Sequence, residues 1–210
     1  MTSPRRIDIP SADRELAGPG GGRLAWIWVA GGGIGLAAAF ALTLEELATL
    51  AHPGRVPACD LSPIVSCGSV MGSSQGAAFG FPNPLIGVAA FAVVVSVGVA
   101  LLSGFRPPRL FWLGMQLGTT LGVGFVHWLI HSSLYRLGAL CPYCMVVWAV
   151  TIPIFWYTTL HNVVHGHLPV GHRRVVQGLA RYHSLVLAIW YLVLVVLILL
   201  AFWPYWAAVR

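Results

Sequence analysis

Residues 140–148 read Leu140-Cys141-Pro142-Tyr143-Cys144-Met145-Val146-Val147-Trp148, a Cys-x-x-Cys motif at the mouth of an apolar run. Two cysteines three apart on a helix share a face, near enough for their sulfurs to bond. Cys141 stands where an N-cap would, and Pro142 takes the first helical position, the one place a helix accepts proline without loss. A thiol at a helix N-terminus meets the positive end of the backbone dipole, which raises its thiolate fraction. The stretch therefore predicts a helix headed by a redox-active dithiol.

Four cysteines are also enough for one tetrahedral zinc ion. Such sites draw on a second Cys-x-x-Cys or a close His pair, whereas Cys59 and Cys67 stand eight residues apart in a Pro/Ser/Gly-rich segment. No metal is expected. Structural disulfides without catalysis are the other alternative.

The composition around the motif places it in a membrane. Of the 210 residues 58% are hydrophobic and only 9% charged, with a mean hydropathy of +0.81. A soluble domain of this size does not hide that much apolar surface. The basic side of the +6 net charge is entirely arginine. In such a chain the charge reports topology rather than nucleic-acid binding, and no nucleic-acid partner is expected.

Residues 1–22 carry Arg5, Arg6 and Arg14 without an apolar period and read as a disordered cytoplasmic tail. Five apolar runs near the ~20 residues of a spanning helix follow: about 24–43, 83–103, 110–130, 141–160 and 184–203. Gly31 and Gly35 give the first run a close-packing face. Gly114, Gly118 and Gly122, at four-residue spacing, predict another on the third. Pro153 predicts a kink in the fourth. Residues 44–82 form the longest connection, and their mixed composition suits a short helix or two lying on the membrane as a lid.

Arginine counts orient the chain. With the N-terminus inside, Arg5, Arg6, Arg14, Arg23, Arg106, Arg109, Arg173, Arg174 and Arg181 lie on the inner side. Arg55, Arg136 and Arg210 lie on the outer side. All four cysteines then face outward, toward a compartment where disulfides persist. Two dithiol pairs on one face suggest a relay, and a lipid-soluble quinone is the natural two-electron acceptor for a pair set one turn into the membrane.

Among the remaining polar residues, His127 and His131 read as interfacial histidines, and His161, His165, His167 and His172 as a solvated inner loop. Gln116, mid-span, needs a partner on a neighbouring helix or a ligand.

Taken together, Cys59-Asp60, Ser66-Cys67, Ser73 six residues on, Asn83 and Cys141-x-x-Cys144 resemble the vitamin K epoxide reductase family over most of residues 24–160. The resemblance implies an all-α membrane protein of five transmembrane helices over residues 23–210. Four of them form a bundle around a quinone, with residues 44–82 as an extracytoplasmic lid. It implies Cys141 and Cys144 as the catalytic pair, Cys144 acting on the quinone and Cys141 resolving it. Cys67 would pass electrons to Cys141, and Cys59 on the lid would exchange with an external partner. Asn83 matches the family's hydrogen-bond donor to a quinone carbonyl, while Ser73 and Asp60 belong to the active-site loop. Where the family often has a tyrosine, four residues after the second cysteine of the motif, this chain has Trp148, whose indole N–H is a donor of different geometry.

The activity implied is a quinone-dependent thiol oxidase. It would use a menaquinone, ubiquinone or vitamin K type co-substrate to reoxidise an exported thioredoxin-fold, DsbA-like protein. Some members carry such a domain fused; here the partner is expected in trans. Reduction of a vitamin K quinone or epoxide is the alternative direction. The protein is expected in the cell membrane, N-terminus inside.

Overall fold

Lipid offers no partner for a backbone N–H or C=O, so each apolar run closes its hydrogen bonds within a helix. The computed structural model describes residues 22–52, 54–168 and 178–208. Its helices are α1 (Gly22–Ala51), α2 (Cys67–Met71), α3 (Asn83–Leu102), α4 (Arg109–Ser132), α5 (Pro142–Val164), α6 (His183–Ala201) and α7 (Trp203–Ala208). A π-helical turn, Ser133–Leu137, extends α4 and is closed by Gly138 at φ +62°. Among the described residues five segments are long and apolar enough to cross a membrane: α1, α3, α4 with its π turn, α5 and α6. The fold is the all-α membrane architecture expected.

Two boundaries differ from the sequence reading. The first helix does not stop with its apolar run at Thr43 but continues two turns to Ala51. Leu44, Glu45, Glu46, Leu47 and Ala48 are all good helix formers, and nothing in them breaks the backbone ladder. The fourth span, α5, likewise runs to Val164, so His161 is a buried helical residue rather than part of a solvated loop. Its ring lies 4.1 Å from that of Trp112. The tail expected over residues 1–22 lies outside the described residues except for Gly22, which already begins α1; His172, Arg173 and Arg174 also lie outside them.

Helices in lipid associate through close packing and interhelical hydrogen bonds, since no water is displaced between them. The first helix is the centre of that packing. A Cβ on Gly35 would stand 2.5 Å from the Phe91 ring of α3, and one on Gly32 2.9 Å from Val95. Gly98 of α3 returns the approach, 2.9 Å from Val29 and 3.1 Å from the Ala25 carbonyl. On its other side α1 meets α5: Gly31 faces Ile154 at 3.4 Å, and the fully buried Trp28 donates its indole N–H to Thr158 Oγ1 at 3.1 Å. Such a bond between spans is worth about 0.6–2 kcal/mol.

The helices α4 and α5 are joined by a polar link. Gln116 donates to Thr159 Oγ1 at 2.9 Å and accepts from Asn162 Nδ2 at 3.0 Å, which gives this mid-span amide the partners it needs. The outermost span, α6, buries no residue and is pinned by Trp190, whose indole donates to His127 Nε2 at 3.0 Å. With Nε2 accepting, the His127 proton sits on Nδ1 and goes to the Val123 carbonyl at 2.8 Å.

Packed in the order α3, α1, α5, α4, the four spans leave a gap between α3 and α4. The glycine face expected to pack tightly lies on that gap. Gly114 and Gly118 meet nothing within 4 Å of an added Cβ, and Gly122 meets only Thr151 at 3.9 Å. Four-residue glycine spacing is the same whether the face meets a helix or a cavity. Here Gly118 and Gly122 line a cavity, and Gly114 borders open space.

Candidate functional site at the head of the bundle

The segment after α1 and the link before α5 pair at one point. Val65 and Leu140 form an isolated parallel bridge. In it Ser66 N–H donates to the Leu140 carbonyl at 3.0 Å, and Leu140 N–H donates to the Ile64 carbonyl at 2.7 Å. A cysteine follows directly after Ser66 on one side of the bridge and after Leu140 on the other. Cys67 opens α2, with Ser66 as its N-cap accepting from Ser69 N–H. Cys141 caps α5, with Pro142 at the first helical position as expected.

Cys59 and Cys67 are joined in a disulfide, their Cα atoms 5.7 Å apart. Cys141 and Cys144 are free thiols. The Cys141 sulfur lies 3.3 Å from that of Cys67, and both residues are completely buried. Leu42, one turn before Glu46 on α1, packs with Cys59, Cys67 and Cys141 in a single apolar cluster. Cys59 is itself buried, 6% exposed. Cys59, expected on the lid within reach of an external partner, is thus covered: the bridge draws the loop down, and the disulfide holds Cys59 to it. Its neighbours Val56 and Leu61 remain 70% and 73% exposed.

The Cys141 thiol is held below its ordinary pKa. A hydrogen bond with the Cys144 side chain is the main cause, and the backbone N–H groups of Cys144 and Tyr143 add to it. Burial and the Asp60 charge oppose them. Thiolate is the form that attacks a disulfide. A sulfur with enhanced thiolate character thus lies in contact with a disulfide sulfur, an arrangement able to exchange.

Asp60 accepts from Gly68 N–H at 3.0 Å and so ties the disulfide loop to the start of α2. Cys59, Asp60 and Cys67 have potential ligand atoms within 4.8 Å of one another, but the two sulfurs are bonded to each other. Ser73 donates to the Val70 carbonyl at 2.6 Å and accepts from Gly76 N–H at 3.1 Å, forming a turn behind the cavity wall rather than lining it.

Below the cysteines the four-helix cluster encloses a cavity of about 350 Å³, walled mainly by aliphatic and aromatic side chains. That volume and lining suit a small ring system. Cys144 stands in its wall, with Trp148 one turn deeper on α5 and Asn83 across from them at the start of α3. Trp148 is 5% exposed, and its indole N–H is buried without any partner. A buried unpartnered donor costs about 1–3 kcal/mol, a penalty that a ligand acceptor would remove. The Asn83 amide is largely engaged: Oδ1 accepts from Ala78 N–H at 3.1 Å and Nδ2 donates to the Gln75 carbonyl at 2.6 Å. One amide hydrogen is left over.

The structure thus gathers all four cysteines at one end of the bundle and sets Cys144, Asn83 and Trp148 on one cavity. It also adds a residue that the sequence left in the outer connection. Glu46, 9% exposed, lines the same cavity with its Oε2 unpartnered. The signal available for it was the four-residue step from Leu42, readable only once α1 is known to continue.

No curated protein matches this chain. The family model described as "Vitamin K epoxide reductase family" matches residues 26–159, and the chain belongs to that family of membrane oxidoreductases, whose chemistry is quinone-linked disulfide exchange.

Proposed function

We propose that this protein is a quinone-dependent thiol oxidase that regenerates the disulfide of an extracytoplasmic thioredoxin-fold, DsbA-like protein. The observation that carries the reading is the contact between Cys67 and Cys141, 3.3 Å between sulfurs, directly above a cavity walled by Cys144. A thiol of the partner exchanges at Cys59 once residues 54–62 swing that sulfur outward, and the partner leaves oxidised. The reduced Cys59/Cys67 pair then exchanges through Cys67 with the Cys141–Cys144 disulfide. The first pair is left oxidised and the second reduced, the redox state seen in the structure.

Residues of the cavity complete the cycle. The dithiol supplies two electrons, and a menaquinone, ubiquinone or vitamin K type ring accepts them. Trp148 orients one carbonyl through its unpartnered N–H, and Asn83 offers its remaining amide hydrogen to the other. The gap between α3 and α4 gives the lipid tail a way out past Gly114 and Gly118. The outward orientation of the cysteines follows the arginines: Arg23, Arg109 and Arg181 stand at the starts of α1, α4 and α6, the bundle end opposite the cysteines.

The test is quinone reduction by the purified protein with a dithiol donor, beside a Cys144→Ala control. Turnover that disappears in the control supports the reading. A folded protein with intact thiols that reduces no quinone would return the cysteines to a structural role.

A further inference from the structure

A carboxyl group inside a lipid-embedded cavity is costly, and such a residue is retained where it handles protons or charge. Glu45 and Glu46 are adjacent but separately placed. Glu45 pairs with Arg55, 3.5 Å away. Glu46 turns inward on the Leu42 face, into the cavity wall that also holds Cys144, Asn83 and Trp148. Among the described residues no cation or hydrogen-bond donor meets its buried Oε2. Helix packing does not explain it either, because an apolar side chain would fill that wall without the desolvation cost.

Building on the proposed quinone chemistry, we infer that Glu46 is a catalytic proton carrier between the Cys144 thiol and a quinone oxygen in the cavity. Thiol oxidation must dispose of protons just where quinone reduction consumes them. The Glu46 carboxylate takes the proton of Cys144. Cys141, reacting as thiolate, and Cys144 then form their S–S bond and hand two electrons to the quinone. Glu46 returns its proton to one ring oxygen, and water from the cysteine end of the bundle supplies the second proton. Quinol leaves, and Glu46 is again a carboxylate. Two thiolates, one quinone and two protons become one disulfide and one quinol.

The experiment separates the two half-reactions. Full-length protein is reduced, freed of reductant and mixed with quinone in a single turnover. Exchange between the cysteine pairs is followed separately by alkylation and mass spectrometry. Glu46→Gln keeps shape and removes the titratable group. It is expected to slow quinone reduction by about 100-fold or more, the usual contribution of a positioned acid or base. The KM for quinone and the exchange rate should stay as in the wild type. Glu46→Asp, an acid one methylene short, should recover part of the rate.

A Glu46→Gln protein that reduces quinone at the wild-type rate overturns the assignment. So does one in which both half-reactions fall together in a folded sample. If Glu46→Gln does not fold, Glu46→Asp decides: slow quinone reduction with normal exchange supports the role, and any other pattern overturns it. A wild type inactive with quinone overturns the underlying reading and this inference with it, whereas an active wild type beside an unaffected variant overturns the proton carrier alone.

Discussion

Val65 and Leu140, 75 positions apart in the chain, are bridge partners, and that pairing sets the register of the two reactive sulfurs. Cys67 follows Val65 by two residues and Cys141 follows Leu140 by one. Apart from the sulfurs themselves, the Ser66–Leu140 and Leu140–Ile64 hydrogen bonds are the fixed points between the loop and the head of α5.

Removing the Leu140 N–H should therefore uncouple the pairs without touching either. Leu140→Pro deletes the donor to Ile64 and leaves all four cysteines in place. Displacement of a reacting atom by about 1 Å costs on the order of 100-fold in rate. Electron transfer from Cys67 to Cys141 should slow by about that factor, as measured by rapid acid quench and disulfide mapping. Quinone reduction by the pre-reduced Cys141/Cys144 pair should be unchanged. Equal slowing of both would mean that the bridge supports the fold rather than the exchange.

Trp148 offers a second test, because its donor is buried and idle. Trp148→Phe removes the N–H and keeps an aromatic ring in the cavity wall. Loss of one hydrogen bond to the quinone, about 1 kcal/mol, should raise the KM for quinone roughly fivefold with kcat little changed. Trp148→Tyr restores a donor and should bring the KM back toward wild type. A Phe variant with an unaltered KM would show that the indole N–H serves no ligand.

Much of this architecture was legible beforehand because hydropathy and cysteine placement are local signals. Five runs of spanning length, the proline at the first position of α5 and the dithiol at its head all lie in short stretches of sequence. What was not legible depends on which elements meet. Nothing near Cys59 announces that a bridge 75 positions long will bury it, and Glu46 looks like a loop residue until α1 is followed to Ala51. The glycines show the limit most clearly. Gly31 and Gly35 pack against neighbours as read, whereas Gly114 and Gly118, with the same spacing, border open space.

That contrast can be measured with one kind of substitution. Gly35→Val places atoms where the Phe91 ring already stands, 2.5 Å from the first added carbon. Overpacking of this kind costs about 1–3 kcal/mol, so a thermal melt in detergent should show a lower Tm. Gly118→Val has free space and should melt like the wild type. Its methyls enter the cavity wall, so the KM for a long-tailed quinone should rise while a tail-free analogue is less affected. A destabilised Gly118→Val would mean that α3 and α4 close on one another.

The lowered pKa of Cys141 gives the last prediction, a pH dependence with a definite sign. A depressed pKa keeps the thiolate populated at pH values where an ordinary thiol is protonated. Attack of the Cys141 thiolate on the Cys59–Cys67 disulfide, the exchange run in reverse, should hold its plateau down to a pH below the usual cysteine range and fall only as pH drops through the lowered value. The Cys144 side chain is the leading cause. Cys144→Ala should therefore move the profile up in pH, while Cys144→Ser, which keeps an O–H donor in place, should move it less. Thiolate absorbance in the ultraviolet, titrated in proteins with the Cys59–Cys67 disulfide intact, reads the shift directly. A profile identical in the Ala and Ser variants would transfer the effect to the backbone N–H groups of Cys144 and Tyr143 at the helix N-terminus.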